Sequence, residues 1–419
     1  TVGPGGCLGG RLPGEEMVML KGRWPVSLVV LVLVGVACTG SGDRGDDTAA
    51  SQSFTVEVDG KADGFSAGFP AFFPDQVTVH PGDTVTVRLE AASGQPHTAT
   101  LGTLVDAAVA RLDRLGPRAS LAAQENSPQM LRLPDAFPHA VTGGPQDANQ
   151  SAAQPCYLDT GVPPLSLTGG APACPRRAQP RFDGTQSFYN SGVLTATGDS
   201  FTVPVATTTR PGTYSLMCML HRSAGIGRIR VVAADEPVPT PAEAAAAGRR
   251  QRQHLVDVLR PVAGEADRAT PDNALAGAVD PTVPNALVTQ FGPQTISIPV
   301  GGTATWHVNG FHTISFGAPA GVSGSFLKDS DGGVHLNPQV VLPIGYAVPD
   351  AVFVYPPPDD GRPVVIDAGR WDGVGVRSTG LVGSYPPVLV TLRQTFTKAG
   401  TYPYRCLFHP AMAGAVKVG

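Results

Sequence analysis

Short runs of alternating apolar and polar residues make up much of the chain from about residue 53 onward. The first runs are SFTVEVDG, DQVTVHPGDTVTVRLEA and HTATLG, and Pro, Gly and Asp separate them. An alternation with a period of two is typical of strands that bury one face. The pattern returns in SFYNSGVL, DSFTVPVA, GTYSLMCML and GRIRVV, which end near Ala233. We therefore predict a first β-sandwich domain over residues 53–233.

The second half of the chain repeats this arrangement. QTISIPVGGTATWHV parallels QVTVHPGDTVTVRL, and a Gly-Thr-Tyr triplet precedes a cysteine in both halves, at Gly212 and at Gly400. Two matches at corresponding places indicate an internal repeat. We predict a second sandwich over residues 286–419 and an all-β fold.

Three segments depart from the strand pattern. Residues 104–116 have helical spacing, and residues 117–185 are rich in Pro, Gly, Ala and Gln, which predicts a long insertion in the first domain. The second domain carries a long insertion of its own between FHTISFG and PVLVTLRQTF. Residues 234–285 are bounded by prolines, and we predict a connector with one short helix from about Pro241 to Leu259.

Composition agrees with a β protein and limits the choice of partners. The 419 residues include 51 Gly and 41 Pro, and only 15% are charged, which favours strands and turns over long helices. The formal net charge is -4, and no block rich in Lys or Arg stands out. We therefore predict that the protein does not bind nucleic acid.

The amino-terminal part has the order of a secretory signal. Lys21 and Arg23 precede the apolar run Val26 to Val36, which is followed by Ala37 and Cys38. We predict a signal peptide over residues 1–38, with Met17 as a candidate for the true start, and export of the protein.

The cysteine at the end of this signal indicates a lipid anchor. Cys38 follows VGVA directly and precedes a polar, flexible stretch over residues 39–52, an arrangement that resembles a bacterial lipobox. The resemblance implies lipidation of Cys38 and a location at the outer face of the cytoplasmic membrane or in the periplasm. An ordinary signal peptide and an uncleaved single-span anchor are the alternatives.

Two cysteines in the first insertion have no place in the patterns described so far. Cys156 and Cys174 lie in a Pro- and Gly-rich stretch of a chain predicted to be exported, where a disulfide is chemically permitted. We predict that they pair, and closing a loop of that size stabilises a fold by about 3 kcal/mol. The alternative, a metal site, lacks nearby histidines.

The last residues of the chain carry the candidate chemistry. Cys406, His409 and Met412 form a CxxHxxM run, and His312 stands upstream in FHTISF. One thiolate, two imidazoles and one thioether are the ligands of trigonal copper sites that transfer single electrons. We predict one copper ion at these four residues.

The first half holds a weaker copy of this ligand set. His97, Cys218 and His221 correspond to three of the ligands, but Ala224 stands where the second half has Met412. A copper site here would have a raised potential, because a missing thioether favours Cu(I). The alternative is a degenerate domain in which the cysteine and histidines remain as ordinary core residues.

With these motifs, the chain resembles the cupredoxin family, and CxxHxxM has the spacing of amicyanin. The resemblance implies two Greek-key sandwiches, with His312, Cys406 and His409 as equatorial copper ligands and Met412 as the axial one. It also implies that redox proteins dock transiently at a solvent-exposed His409 ring, inside an apolar patch. In small cupredoxins the first histidine and the cysteine are much closer in sequence than His312 and Cys406 are here.

The sequence leaves three classes of function to consider. An electron carrier is the leading expectation. Two-domain copper oxidases and nitrite reductases place a histidine beside the copper cysteine, whereas this chain has Arg405 and Met217 there and no HxH pair. We therefore predict that the chain is not an enzyme and has no catalytic residue. Copper storage or delivery, or a scaffold role, is the third class.

Overall fold

The computed structural model describes residues 51–90, 93–134, 136–137, 147–159, 174, 178–330, 332–347, 363–384 and 390–419. The predicted signal peptide, the lipidation site Cys38 and the predicted linker up to residue 50 lie outside these ranges. Within them, no helix has both the length and the apolar character needed to cross a membrane.

The first half folds into two packed sheets. Its strands are β1 (Ser53–Val58), β2 (Ala67–Gly68), β3 (Phe72–Phe73), β4 (Gln76–Val79), β5 (Thr84–Leu89), β6 (Thr100–Leu101), β7 (Pro155–Leu158), β8 (Phe188–Ser191), β9 (Ser200–Pro204), β10 (Gly212–Met217) and β11 (Ile226–Val231). Its helices are α1 (Thr103–Leu115), α2 (Leu121–Glu125) and α3 (Gln150–Ala153), with 3₁₀ turns at Met130–Arg132 and Arg222–Ala224.

Strand order shows how the first sandwich is built. One sheet has the order β3-β1-β5-β9 and the other β4-β11-β10-β6-β8-β7. β1 is parallel to β5 and β4 is parallel to β11, while the remaining pairs are antiparallel. Alternate residues of β1 point inward, so that Phe54, Val56 and Val58 are buried. This confirms the alternation that the sequence predicted.

The second half uses the same plan. Its strands are β12 (Ala274–Val279), β13 (Leu287–Gly292), β14 (Thr295–Ile298), β15 (Thr303–Val308), β16 (Gly310–His312), β17 (Ser315–Phe316), β18 (Phe326–Lys328), β19 (Val334–Leu336), β20 (Val364–Trp371), β21 (Arg377–Ser378), β22 (Val382–Ser384), β23 (Val390–Phe396), β24 (Gly400–Arg405) and β25 (Ala413–Val418), with helix α5 (Pro338–Val341). Its main sheets have the orders β2-β13-β12-β15-β23-β20 and β14-β25-β24-β17-β21. The parallel pairs β12–β15 and β14–β25 correspond to β1–β5 and β4–β11, which confirms the repeat.

One strand of the second sandwich lies in the range that we assigned to the connector. β12 corresponds to β1 of the first half, yet it ends before residue 286. Its sequence, ALAGAV, consists mostly of small residues, and Gly277 adopts a φ of 78° at a register shift in the pairing with β13. This bulge interrupts the alternation by which a strand is recognised in sequence.

The connector also contains a longer helix than we predicted. Helix α4 spans Pro241–Ala266 and begins with a capping box between Thr240 and Glu243. The predicted helix ends near Leu259, whereas the observed one includes Pro261, although proline removes a helical hydrogen bond. The helix continues because Ala263 and Ala266 are buried beyond the proline.

Helix α4 packs between the two sandwiches and contributes to a shared apolar cluster. Phe69 and Phe73 of the first half, Leu255 and Leu259 of the helix, and Val288 of the second half belong to this cluster. β2 of the first half pairs with β13 of the second, and the Ser66 and Thr289 hydroxyls are 2.8 Å apart. The two sandwiches are therefore joined by this apolar cluster and by the pairing of β2 with β13 instead of by a free linker.

The insertion of the first domain is fixed at several points. Cys156 and Cys174 form a disulfide. Asp147 contacts His335, and Gln150 donates a hydrogen bond to the Val334 carbonyl at 2.7 Å, which ties this insertion to that of the second domain. Helix α2 is tied to the 3₁₀ turn that follows His221, because Glu125 accepts a hydrogen bond from the buried Arg222 side chain at 2.6 Å.

Two glycines of α4 offer a test of this packing. A Cβ atom at Gly248 would lie 2.7 Å from the backbone of Phe73 and Pro74, whereas one at Gly264 would meet nothing within 4 Å. We expect Gly248→Ala to lower the free energy of unfolding by about 1–3 kcal/mol through overpacking. Gly264→Ala should be neutral or stabilise by up to about 1 kcal/mol, because alanine favours helix. Denaturant unfolding measures both, and equal effects would contradict the packing of α4 against β3.

Candidate metal centres

The second domain brings one cysteine and two histidines into a buried group. His312 ends β16, Cys406 follows β24, and His409 lies in the turn that leads to β25. The Nδ1 atoms of His312 and His409 are 3.1 Å apart, and Cys406 Sγ is 3.6 Å from His409 Nδ1. All three side chains are buried. We refer to this group as site 2.

Hydrogen bonds orient the ligand atoms of site 2. His312 Nε2 donates to the Asn309 carbonyl at 2.8 Å, which leaves the Nδ1 lone pair free for a metal. The backbone N–H groups of Thr313 and His409 each donate to Cys406 Sγ at 3.3 Å. Met412 is fully buried, and its backbone binds Cys406 and His409 and so closes the ligand loop.

The first domain forms a matching group, site 1, from His97, Cys218 and His221. Cys218 Sγ is 3.3 Å from His221 Nδ1, and the two imidazole rings are 4.5 Å apart between centroids. Thr98 N donates to Cys218 Sγ at 3.3 Å, as Thr313 N does to the cysteine of site 2. The internal repeat therefore includes the residue that follows the first histidine.

The loop of site 1 differs from that of site 2 at one position. Ala224 N donates to the His221 carbonyl at 2.9 Å, as Met412 N donates to the His409 carbonyl. Ala224 therefore occupies the place of Met412 in the turn, as the comparison of the two halves of the sequence predicted. It offers no sulfur there.

The donor atoms of both groups fit a single bound ion. In each group, the ligand atoms lie within 4.8 Å of one another. Metal–nitrogen bonds of about 2.0 Å and metal–thiolate bonds of about 2.3 Å, as zinc forms them, can span such separations. Both ring nitrogens of the buried His97 lack a hydrogen-bond partner among the described residues, a costly arrangement that a metal at one of them would relieve. Thiolate with imidazole is a donor set that suits copper.

The two sites differ in electrostatics. Burial opposes a charge on His97, but the contacts with Asp59 and Cys218 outweigh it and raise the pKa of His97 to about 9. Burial also opposes the thiolate of Cys218, yet the charges of His221 and His97 and the hydrogen bond with His221 lower its pKa well below the usual range.

In site 2, burial is the largest influence on the pKa of each of the three side chains. Burial raises the pKa of the Cys406 thiol, although backbone hydrogen bonds partly offset this. Burial lowers the pKa of His312 to about 4. The pKa of His409 lies well below its usual range because of burial and of the charges of His312 and, in the other site, His221. The two sites are therefore close enough to influence each other.

The sequence did not indicate the buried carboxylate beside site 1. Asp59 Oδ2 lies 3.8 Å from His97 Nε2, and the carboxylate accepts hydrogen bonds from Phe69 N at 2.8 Å and Ser93 Oγ at 2.6 Å. The only signal was Asp59-Gly60 at the end of a strand, which indicates a turn as readily as a site. A negative charge here favours Cu(II) and opposes the effect of the missing thioether.

The structure also corrects the expected surface around His409. We expected the His409 ring at the solvent edge, but it is 1% exposed, and Leu407 and Phe408 are buried as well. The ring instead contacts the first domain, where the Gln95 amide nitrogen lies 3.0 Å from His409 Nε2. Of the four histidine ligands, only His221 is partly exposed. The surface around His409, where we expected redox partners to dock, is therefore covered by the first domain.

Comparisons with known proteins give matches among solved structures. No protein-family model matches the sequence, and no curated protein matches it. An auracyanin from Roseiflexus castenholzii is similar over 44% of this chain and 98% of its own, with 16% identity and a TM-score of 0.21. A blue copper oxidase from Nitrosomonas europaea is similar over 88% of this chain and 86% of its own, with 10% identity and a TM-score of 0.17. A copper-containing nitrite reductase from Thermus scotoductus is similar over 88% of this chain and 99% of its own, with 14% identity and a TM-score of 0.21.

Each of the two sandwiches holds one His/Cys/His group, and thiolate with imidazole is a donor set that suits copper, as the sequence predicted. Our prediction that the chain is not an enzyme is wrong as stated. The structures that match over 88% of the chain are those of copper oxidases and copper nitrite reductases, although identity is low.

The buried carboxylate leads to a test by substitution. We expect Asp59→Asn to raise the reduction potential of site 1, because it removes a negative charge that stabilises Cu(II). The loss of one such charge several ångströms away is on the order of 2 kcal/mol at an effective dielectric constant of about 20, which is about 100 mV. Redox titration in a Cys406→Ser background isolates site 1. In a Cys218→Ser background the same substitution should shift site 2 much less, and an unchanged or lowered site 1 potential would contradict the assigned role.

Proposed function

We propose that the protein carries single electrons between redox partners through copper in site 2 and in site 1. The observation that supports this most strongly is the pair of His/Cys/His groups, in each of which a threonine N–H donates a hydrogen bond to the cysteine sulfur. A copper ion would supply the one-electron chemistry when bound. The surrounding chain would hold the ligands in place in both oxidation states, so that little reorganisation accompanies transfer.

The ligand residues have separate tasks in this proposal. Cys406 and Cys218 would provide the thiolate, and the backbone N–H groups of Thr313 and Thr98 stabilise the sulfur charge. Asn309 holds the His312 ring with Nδ1 toward the metal. Met412 would supply a thioether sulfur to the copper of site 2.

Redox partners would meet the chain at His221 in this proposal. It is the partly exposed ligand ring, and the adjoining turn is held by the buried pair of Arg222 and Glu125. A rigid, partly exposed ring suits the brief encounters of small area by which redox proteins exchange electrons.

We also propose that the protein acts outside the cytoplasm, anchored to the membrane by lipid at Cys38. The disulfide between Cys156 and Cys174 supports an oxidising compartment. The order of charged, apolar and small residues before Cys38 supports export.

Copper loading of single-site variants tests the function. The wild-type protein should bind two copper ions per chain and show an intense blue absorption, which reports a thiolate bound to Cu(II). Cys406→Ser and Cys218→Ser should each bind one ion, keep the blue band of the other site, and unfold without metal much as the wild type does. A blue spectrum that is the same in the wild type and in the double variant would contradict the assignment.

A chelator separates the electron carrier from a copper-delivery protein. After reduction, an electron carrier retains Cu(I), since its ligands are fixed, and returns to the blue state on oxidation. We expect full recovery of the blue band in the presence of a Cu(I) chelator. Loss of copper upon reduction would favour storage or delivery instead.

A further inference from the structure

The contact between the two sites is made by their ligand loops. Residues 93–97 of the first domain, which end at His97, pack against residues 408–410 of the second, which contain His409. A Cβ atom on Gly94 would overlap Pro410, and one on Gly68 would lie 2.5 Å from the Gln95 amide nitrogen. Gly94, at a φ of 81°, therefore allows the close approach of Pro410, while a side chain at position 68 would displace the Gln95 amide.

Gln95 connects the two ligand rings. Its side chain reaches His409 Nε2 at 3.0 Å, and its backbone is separated from that of His97 by Pro96 alone. A second route runs through hydrogen bonds: Gln95 N donates to Ser93 Oγ at 3.1 Å, and Ser93 Oγ donates to Asp59 Oδ2. Asp59 Oδ2 in turn lies 3.8 Å from His97 Nε2. Gln95 and Asp59 are themselves buried.

The orientation of the His409 ring is consistent with its contact with Gln95. His409 directs Nδ1 toward the other ligands of site 2, so Nε2 carries the hydrogen when Nδ1 binds a metal. The oxygen and nitrogen of an amide can exchange places by a rotation. The Gln95 oxygen, which has no hydrogen-bond partner among the described residues, can then accept the hydrogen of Nε2.

Within the described ranges, site 2 has no ligand ring at the surface. His312 is fully buried against Asn309, Gly277 and Gly310, and His409 is covered by Gln95. An external redox partner therefore meets site 1, at the partly exposed His221, more readily than it meets site 2.

We propose that the two sites exchange electrons inside the chain, through the contact of His409 with Gln95. This inference rests on the proposed function, because it requires copper in both sites. In the exchange, one electron passes between the rings; Cu(I) is oxidised to Cu(II) in one site and Cu(II) is reduced to Cu(I) in the other. No proton moves and no bond forms or breaks. Gln95 is a positioning residue, since it contacts a ligand and not the metal.

Rapid injection of charge into the two-copper protein tests the exchange. A brief pulse of reductant on the oxidised protein, and a pulse of oxidant on the reduced protein, place an electron or a hole first at the exposed site 1. An electron moves spontaneously to the site with the higher potential. Redistribution therefore follows the pulse of reductant if site 2 has the higher potential, and the pulse of oxidant if site 1 has it. We expect redistribution between the two blue bands at a rate that does not depend on protein concentration.

Variants identify the route. Gln95→Leu should slow the redistribution several-fold while both blue bands and both copper ions remain, and Gly68→Ala, which displaces the amide without removing it, should slow it too. Ser66→Ala is the matched control, since it removes an interdomain hydrogen bond to Thr289 that touches no ligand ring, and it should keep the wild-type rate.

The outcomes distinguish this proposal from the function on which it rests. A redistribution rate that rises with protein concentration, or a wild-type rate in Gln95→Leu, would overturn the internal exchange while leaving two functional copper sites. Copper in only one site would overturn it as well. Absence of any blue copper before the pulse would instead overturn the proposed function.

Discussion

The close packing of the Gln95 loop against the His409 loop is the constraint on which the arrangement of the molecule depends. It requires glycine at position 94, and it buries the His409 ring. The shared core around α4 holds the two loops in contact, because Leu255 and Leu259 pack with apolar residues of both sandwiches. The contact between the two sandwiches therefore includes a histidine of site 2, His409.

The two sites are repeats with different electrostatics. Both use a threonine N–H to bind the cysteine sulfur, but Asp59 stands beside site 1, whereas a backbone carbonyl, that of Asn309, binds the histidine of site 2. A carboxylate favours Cu(II), and a missing axial thioether favours Cu(I), so these two effects act against each other in site 1. Two copper sites with the same His/Cys/His set therefore need not have the same reduction potential.

Local sequence was enough to predict which cysteine and histidines the structure brings together in each group, and the strands that flank them. CxxHxxM places Cys406, His409 and Met412 in one loop, and alternation identifies the flanking strands. Gln95 and His409 are 314 residues apart, so that no local pattern reports their contact. Strand β12 and the end of α4 were missed because a bulge at Gly277 and the proline at position 261 break the patterns from which elements are recognised, while tertiary packing keeps both elements in place.

A crystal structure of the copper-loaded protein, with anomalous diffraction at the copper edge, tests the central claim most directly. It should show two copper peaks per chain, one bound by Nδ1 of His312 and His409 with Sγ of Cys406, and one bound by His97, Cys218 and His221. The Gln95 side chain should lie against the His409 ring. A single peak, or copper bound away from these cysteines, would contradict the account.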